Sequence, residues 1–173
     1  MDFLFRWFAR LLPKPDTKMT AERQRAVEMA LRDADTFLTE RLANCGWRDA
    51  DVPRGTRILI QTAVHEANRL SQPVATTAHV IVAAVRLEQP AVRHLASGRT
   101  TSRNVLIALR EAASSLMPPE LEVLVSPGLS AELMQHLTAL GPAHPDAIVA
   151  AILADPESLA ATMFRDYATR SAR

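Results

Sequence analysis

The sequence predicts an all-α fold, and three observations carry that prediction. The chain of 173 residues holds only 5 glycines against abundant Ala, Leu and Arg, a composition that favours helix over strand. Apolar residues recur at spacings of three and four in one segment after another, the repeat of a helix with one buried face. Eleven prolines, with the glycines, fall between these segments, where they start and stop helices. A hydrophobic fraction of 48% with 23% charged residues is that of a globular chain able to bury one core.

The segment MDFLFRWFARLL opens the chain and holds half of its aromatic residues, Phe3, Phe5, Trp7 and Phe8. Asp2, Arg6 and Arg10 fall at a spacing of four, so a helix here would carry one charged stripe and otherwise apolar surface. Pro13 and Pro15 end this arm, residues 1–15. Three roles fit it: docking on the protein's own core, lying in a membrane interface through Phe3, Leu4, Phe5, Trp7, Phe8, Leu11 and Leu12, or binding another protein. It has no basic leader region and no small-residue cleavage site, so it does not read as a signal peptide.

A long helix is expected over residues 20–45, with Val27, Ala30, Leu31, Ala34, Phe37, Leu38 and Leu42 on one side and Gly46 as its stop. A loop follows to Gly55. The next helix, Thr56–Leu70, buries Leu59, Ile60, Ala63, Val64, Ala67 and Leu70. Pro73 breaks it, and Thr76 or Thr77 caps a helix carrying His79 to Leu87. Pro90 opens a short helix to about Ala96 and Ser102 another to about Leu116. Residues 118–128 form a linker, bracketed by Pro118-Pro119 and Pro127-Gly128. Ser130 then opens a second series, with helices ending at Gly141, starting at Pro145 and starting at Pro156.

The word IVAA occurs at Ile81 and again at Ile148, a spacing of 148 − 81 = 67. On that offset Leu70 meets Leu137 and His79 meets Asp146, while Pro90 and Pro156 fall one residue out of step. Matching order and punctuation suggests two units, residues 56–117 and a shortened 129–173. The helix around each IVAA lacks a polar face and is expected to be buried.

The stretch EANRLSQPVATTAHVIVAAVR, Glu66 to Arg86, resembles the N-terminal repeat domain of Clp unfoldases, whose pattern is E-A-x-x-L, about six residues, then T-E-H-[LI]-L-L-[AG]-L. Glu66, Ala67, Leu70, Thr77, His79, Ile81 and Ala83 match it in spacing, and PAVRHLASG, Pro90 to Gly98, resembles the family's A-A-x-x-L-x-x-x-G. The resemblance covers residues 56–116 and, less closely, 129–168. It implies a compact bundle of two helical repeats, without catalytic activity, that recruits adaptors and substrates to an ATPase ring, here standing alone. The chain departs from the pattern at Ala78, where the family has Glu. In some members that Glu, in each repeat, holds phosphoarginine; Asp146 stands near the corresponding place in the second half. The second unit also lacks a fourth helix, and the helix over 20–44 is expected to cover the surface this leaves.

Several chemistries are excluded. G-x-x-x-x-G-K-[ST] is absent, so no Walker phosphate loop is expected. His65-Glu66 begins an H-E-x-x-H, but Arg69 stands where the second His belongs. His94, His136 and His144 show no ligand pairing, and no metal or other cofactor is expected. Cys45 is the one cysteine and has no local nucleophile signature. No serine lies in G-x-S-x-G or S-x-x-K. The segment TTSRNVLIALREA with Arg86, Arg93, Arg99, Arg103 and Arg110 has the charge for phosphate contacts, but an acidic second half argues against nucleic acid.

Charge is segregated. Residues 1–110 carry 17 Lys/Arg and 11 Asp/Glu, a net of +6, and residues 111–164 carry 7 acids and no base, a net of −7. The resemblance implies a non-enzymatic, cytoplasmic protein-binding module for a peptide, an adaptor, a client or a Clp-type unfoldase, and that is the expected function. Thr77 and His79 are expected at its first edge, with Glu120, Glu122, Glu132 and Asp146 favouring cationic ligands. The alternatives are a peripheral-membrane or assembly scaffold anchored by residues 1–12, and a small regulator or immunity-type protein that shares the fold.

Overall fold

The computed structural model describes residues 35–96, 102–116 and 128–164. The chain divides into two units, Met1–Thr36 and Phe37–Arg173, and the elements below belong to the second apart from the first two residues of the first helix. The fold is all-α, with seven helices among the described residues and one two-residue strand pair. The arm at residues 1–15 and the first part, residues 20–34, of the helix expected over residues 20–45 lie outside the described residues.

Helix α1 (residues 35–44) buries Leu38 and Leu42, one turn apart. It ends in a left-handed glycine: Gly46 has φ +77°, and the Trp47 amide turns back to donate to the Leu42 carbonyl at 3.1 Å. That turn inserts Trp47, whose Nε1 donates to the Leu137 carbonyl at 2.9 Å. Helix α2 (Arg54–Arg69) buries Thr56, Leu59, Ile60, Ala63, Glu66 and Ala67. These residues follow helical periodicity, and one of them is charged.

Strand β1 (Val74–Ala75) pairs in parallel with β2 (Gly128–Leu129), Val74 opposite Gly128 and Ala75 opposite Leu129. Gly128, expected as the last linker residue, is thus the first residue of a strand. The pair aligns the starts of two helices, α3 (Thr77–Arg86) after Thr76 and α5 (Ala131–Leu140) after Ser130. Ser130 caps α5 by accepting from the Leu133 amide at 3.2 Å.

Every residue of α3 from Thr77 to Val85 is buried. This follows from TAHVIVAAV, which has no polar face to offer water. Helices α2, α4 (Ser102–Leu116) and α6 (Pro145–Ala154) surround it, with a 3₁₀ turn at Pro90–Ala96. The short segment expected as helix from Pro90 is this 3₁₀ turn. Helix α4 contributes Val105, Leu109, Ala112 and Ala113 to the core.

The second IVAA helix, α6, is buried on one side only. Ile148, Val149 and Ile152 face the core, while Ala147 and Ala150 are exposed. Alanine suits both surroundings, so an apolar word alone does not report burial all round. Helix α7 (residues 159–164) closes the described chain with Ala160 and Met163 buried.

Helices α2 and α6 meet at their N-termini. The Thr56 hydroxyl donates to the Ala143 carbonyl at 2.6 Å, and a Cβ on Gly55 would lie 3.0 Å from Cγ of Pro145. Gly55→Val is therefore expected to overpack this crossing and lower the unfolding free energy by about 1–3 kcal/mol. Urea melts should show a lower midpoint with an unchanged slope.

Candidate functional site around the buried helix

The residues that carry chemistry converge on α3. On its α2 and α4 side, the Glu66 carboxylate is fully buried in the middle of the apolar stripe of α2. It receives a forked pair from Arg110, Nε to Oε2 and Nη2 to Oε1, each at 2.7 Å. Arg86 adds a third bond, Nη1 to Oε1 at 2.5 Å. Both arginine side chains are 15% exposed. Three charge-assisted bonds outweigh the cost of burial and hold the carboxyl below the ordinary glutamate range. One carboxylate thus ties together α2, α3 and α4.

His79, one turn into α3, is 1% exposed. Its Nδ1 accepts from the Thr76 amide at 3.1 Å and lies 3.0 Å from the Thr76 hydroxyl. The neutral ring therefore carries its proton on Nε2, which is buried and has no hydrogen-bond partner among the described residues. Burial pushes the imidazole down to about 4, against a smaller opposing pull from Glu66. His79 is uncharged at neutral pH, and its role is to return a bond to the start of its own helix. His65, the neighbour of Glu66, is also pushed down, by burial first and then by Arg86, with Arg69 and Arg110 acting in the same direction.

At the N-terminus of α3 the two halves of the chain are joined. The Thr77 hydroxyl donates to Glu132 Oε1 at 2.8 Å and accepts from the Ala160 amide at 3.2 Å. Glu132 Oε1 also accepts from the Leu159 amide at 2.9 Å. Side chains from α5 and α3 thereby satisfy the first two amides of α7, Glu132 that of Leu159 and Thr77 that of Ala160, as a cap would from within the helix. Thr77→Val keeps the volume and removes the hydroxyl. It is expected to cost about 1–3 kcal/mol, because the Ala160 amide and the Glu132 carboxylate lose a buried partner. Hydrogen exchange at Ala160 should quicken more than at Leu109.

The structure thus brings together two of the residues expected to line a binding edge, Thr77 and Glu132, and places a third, His79, in the interior. Thr77 and His79 are buried, and Glu132 is half-buried with its carboxylate turned onto α7. Asp146, at the start of α6, is separate from them. Its Oδ2 lies 3.7 Å from Nδ1 of His144, and its Oδ1 is buried without a hydrogen-bond partner among the described residues. Glu120, Glu122 and the arm residues Phe3, Leu4, Phe5, Trp7, Phe8, Leu11 and Leu12 lie outside the described residues. Arg86 and Arg110, counted as phosphate contacts in the nucleic-acid reading, point inward to Glu66 instead.

The clamp of Glu66, Arg86 and Arg110 is the feature that sequence reasoning missed. The signal was present: Glu66 sits on the α2 face shared by Ile60, Ala63 and Ala67. A charge on a core face needs cations on the facing helices. Among the described residues no three His, Cys, Asp or Glu side chains group to hold a metal ion. Cys45 is buried and its thiol is pushed up by desolvation. No described helix is long and apolar enough to cross a membrane. The chain matches no protein-family model, no curated protein and no solved structure.

Proposed function

We propose that this chain is a non-catalytic protein-interaction module, resembling the N-terminal repeat domain of Clp unfoldases, that binds an adaptor, an unfolded client or the unfoldase itself. One observation carries the reading. The residues behind the resemblance, Glu66, Ala67, Leu70, Thr77, His79, Ile81 and Ala83, fall on or next to two helices that pack on each other, α2 and α3, and all but Leu70 are buried. They act as the framework of a module whose surface does the binding.

The two-unit organisation belongs to the same proposal. Helices α2 and α3 and the 3₁₀ turn at Pro90–Ala96 are followed by α5, α6 and α7 in the same order, and Ile81 and Ile148 are both fully buried. Arg110 and Arg86 are spent on Glu66, which further weakens the nucleic-acid alternative.

The test is direct binding of the full chain to a purified Clp-type unfoldase and, separately, to a permanently unfolded polypeptide. Saturable binding at micromolar concentration to either is expected. Failure with both would overturn the proposal. A chain lacking residues 1–15, assayed in parallel with anionic vesicles, separates this reading from the membrane-anchored scaffold.

A further inference from the structure

Residues 73–77 tie the first half of the chain to its end. The Pro73 and Ala75 carbonyls accept from the Gly128 and Ser130 amides at 3.0 and 2.9 Å, and the Thr77 hydroxyl joins Glu132 and the Ala160 amide. Thr76 lies between these ties, and its amide donates to Nδ1 of His79. A side chain at this third helical position that returns a bond to the cap is ordinarily Glu or Gln, whose oxygen accepts in any event. A histidine accepts there only while Nδ1 is unprotonated. Nε2 already carries the proton of the neutral ring, so a second proton goes onto Nδ1 and turns an N–H toward the N–H of Thr76. Glu66 on α2 is the charged group that acts on the ring. Arg110 on α4 and Arg86 on α3 itself are bonded to Glu66. His65 and Arg69 on α2, Arg93 on the 3₁₀ turn, Glu111 on α4 and Asp146 on α6 do not act on it, while Glu132 comes from α5 to Thr77.

We propose that the bond between Thr76 and His79 is an acid-sensitive latch: protonation of His79 frees the start of α3 and, through Thr77, releases α7 while the rest of the fold holds. The neighbouring helices have ties of their own. Trp47 holds the Leu137 carbonyl at the end of α5, and Thr56 holds the Ala143 carbonyl before α6. The first two amides of α7 depend instead on Thr77 and on Glu132, which Thr77 also bonds. Helix α7 buries Ala160 and Met163 and half-buries Leu159 and Phe164. Its release presents apolar surface in acid that is withheld at neutral pH. Once open, the imidazole returns to its ordinary value of 6.5 from about 4 in the closed form, so falling pH favours opening across that interval. The latch goes beyond the interaction-module reading and holds without it.

The test is native-state hydrogen exchange of the full chain, read by NMR at the Leu159 and Ala160 amides from pH 7 to pH 4.5 and corrected for the chemical exchange rate. The open fraction of α7 is expected to rise about fiftyfold over that range. It should depend little on low concentrations of urea, whereas opening at Leu109 on α4 should carry the full urea dependence of global unfolding. His79→Gln keeps a side-chain oxygen for the Thr76 amide and removes the titrating ring, so its α7 opening should stay nearly constant with pH. Should that variant not fold, Thr77→Val decides. It should raise α7 opening at pH 7 and reduce the acid-induced rise to less than about fivefold. An equal rise in wild type and His79→Gln would overturn the latch, and its loss in Glu132→Gln would then place the sensor at Glu132. A urea dependence at Leu159 and Ala160 equal to that at Leu109 would also overturn it, since α7 would then leave only with the whole fold. So would an undiminished rise in Thr77→Val.

Discussion

Glu66→Ala is expected to lower the unfolding free energy by about 3–5 kcal/mol, the usual cost of removing one partner from a buried ion pair. The substitution leaves the guanidinium groups of Arg86 and Arg110, each 15% exposed, without the carboxylate that both address. Glu66→Gln should recover part of the loss, since an amide oxygen still accepts from Arg110 but carries no charge. The clamp also has a pH signature. Its carboxyl is held below the ordinary glutamate range, so the stabilisation is complete above the unfolded value of about 4.3. It is lost as pH falls below that value and through the folded one. Urea melts from pH 7 to pH 2 should therefore show a steep acid loss in the wild type and a flatter one in Glu66→Gln. Equal acid slopes in the two proteins would remove the clamp from the account of stability.

The second large effect belongs to His79 and occupies a different pH window. Its imidazole falls from 6.5 to about 4 on folding because the ring is buried. The unfolded chain then takes up a proton at a pH where the folded chain does not. The stability from a neutral His79 is thus fully present above about 6.5 and is lost progressively as pH falls to about 4. The total loss is about 3 kcal/mol over that interval. His79→Leu should be less stable at pH 7 by about 1 kcal/mol, because the Thr76 amide loses its acceptor. It should also lack the wild-type slope between pH 6.5 and 4, so the two curves should cross. Parallel curves would mean that His79 titrates alike in both states.

Much of the fold was legible because helices announce themselves locally. The stripe Leu59, Ile60, Ala63 and Ala67 is buried on α2, the apolar run around Ile81 lies in the interior, and Gly46 and Gly141 sit just past the ends of helices. What failed locally had a local cause. The IVAA of α6 was read as wholly buried, but alanine is equally at home in water, and only Ile148, Val149 and Ile152 report the core. The strand pair at Val74 and Gly128 has no signature, because two residues are too few to show an alternating pattern.

The candidate site was less legible. Thr77 and His79 were expected at one edge and Glu132 among the acidic residues beside it; the tertiary structure joins Thr77 to Glu132 and buries Thr77 and His79. Arg86 and Arg110 looked like surface cations, since a helix face is assigned from its own neighbours and their partner lies on another helix.

By itself, the sequence determined the helices, their caps and their core faces, because those follow from contacts within a few residues along the chain. Only the tertiary structure decided which polar groups are spent on the interior and which remain for a partner. Glu66 finds Arg110 44 positions away and Thr77 finds Glu132 55 positions away. Pairs so distant are chosen by packing, and the cost of burying an unmatched charge then makes each choice obligatory.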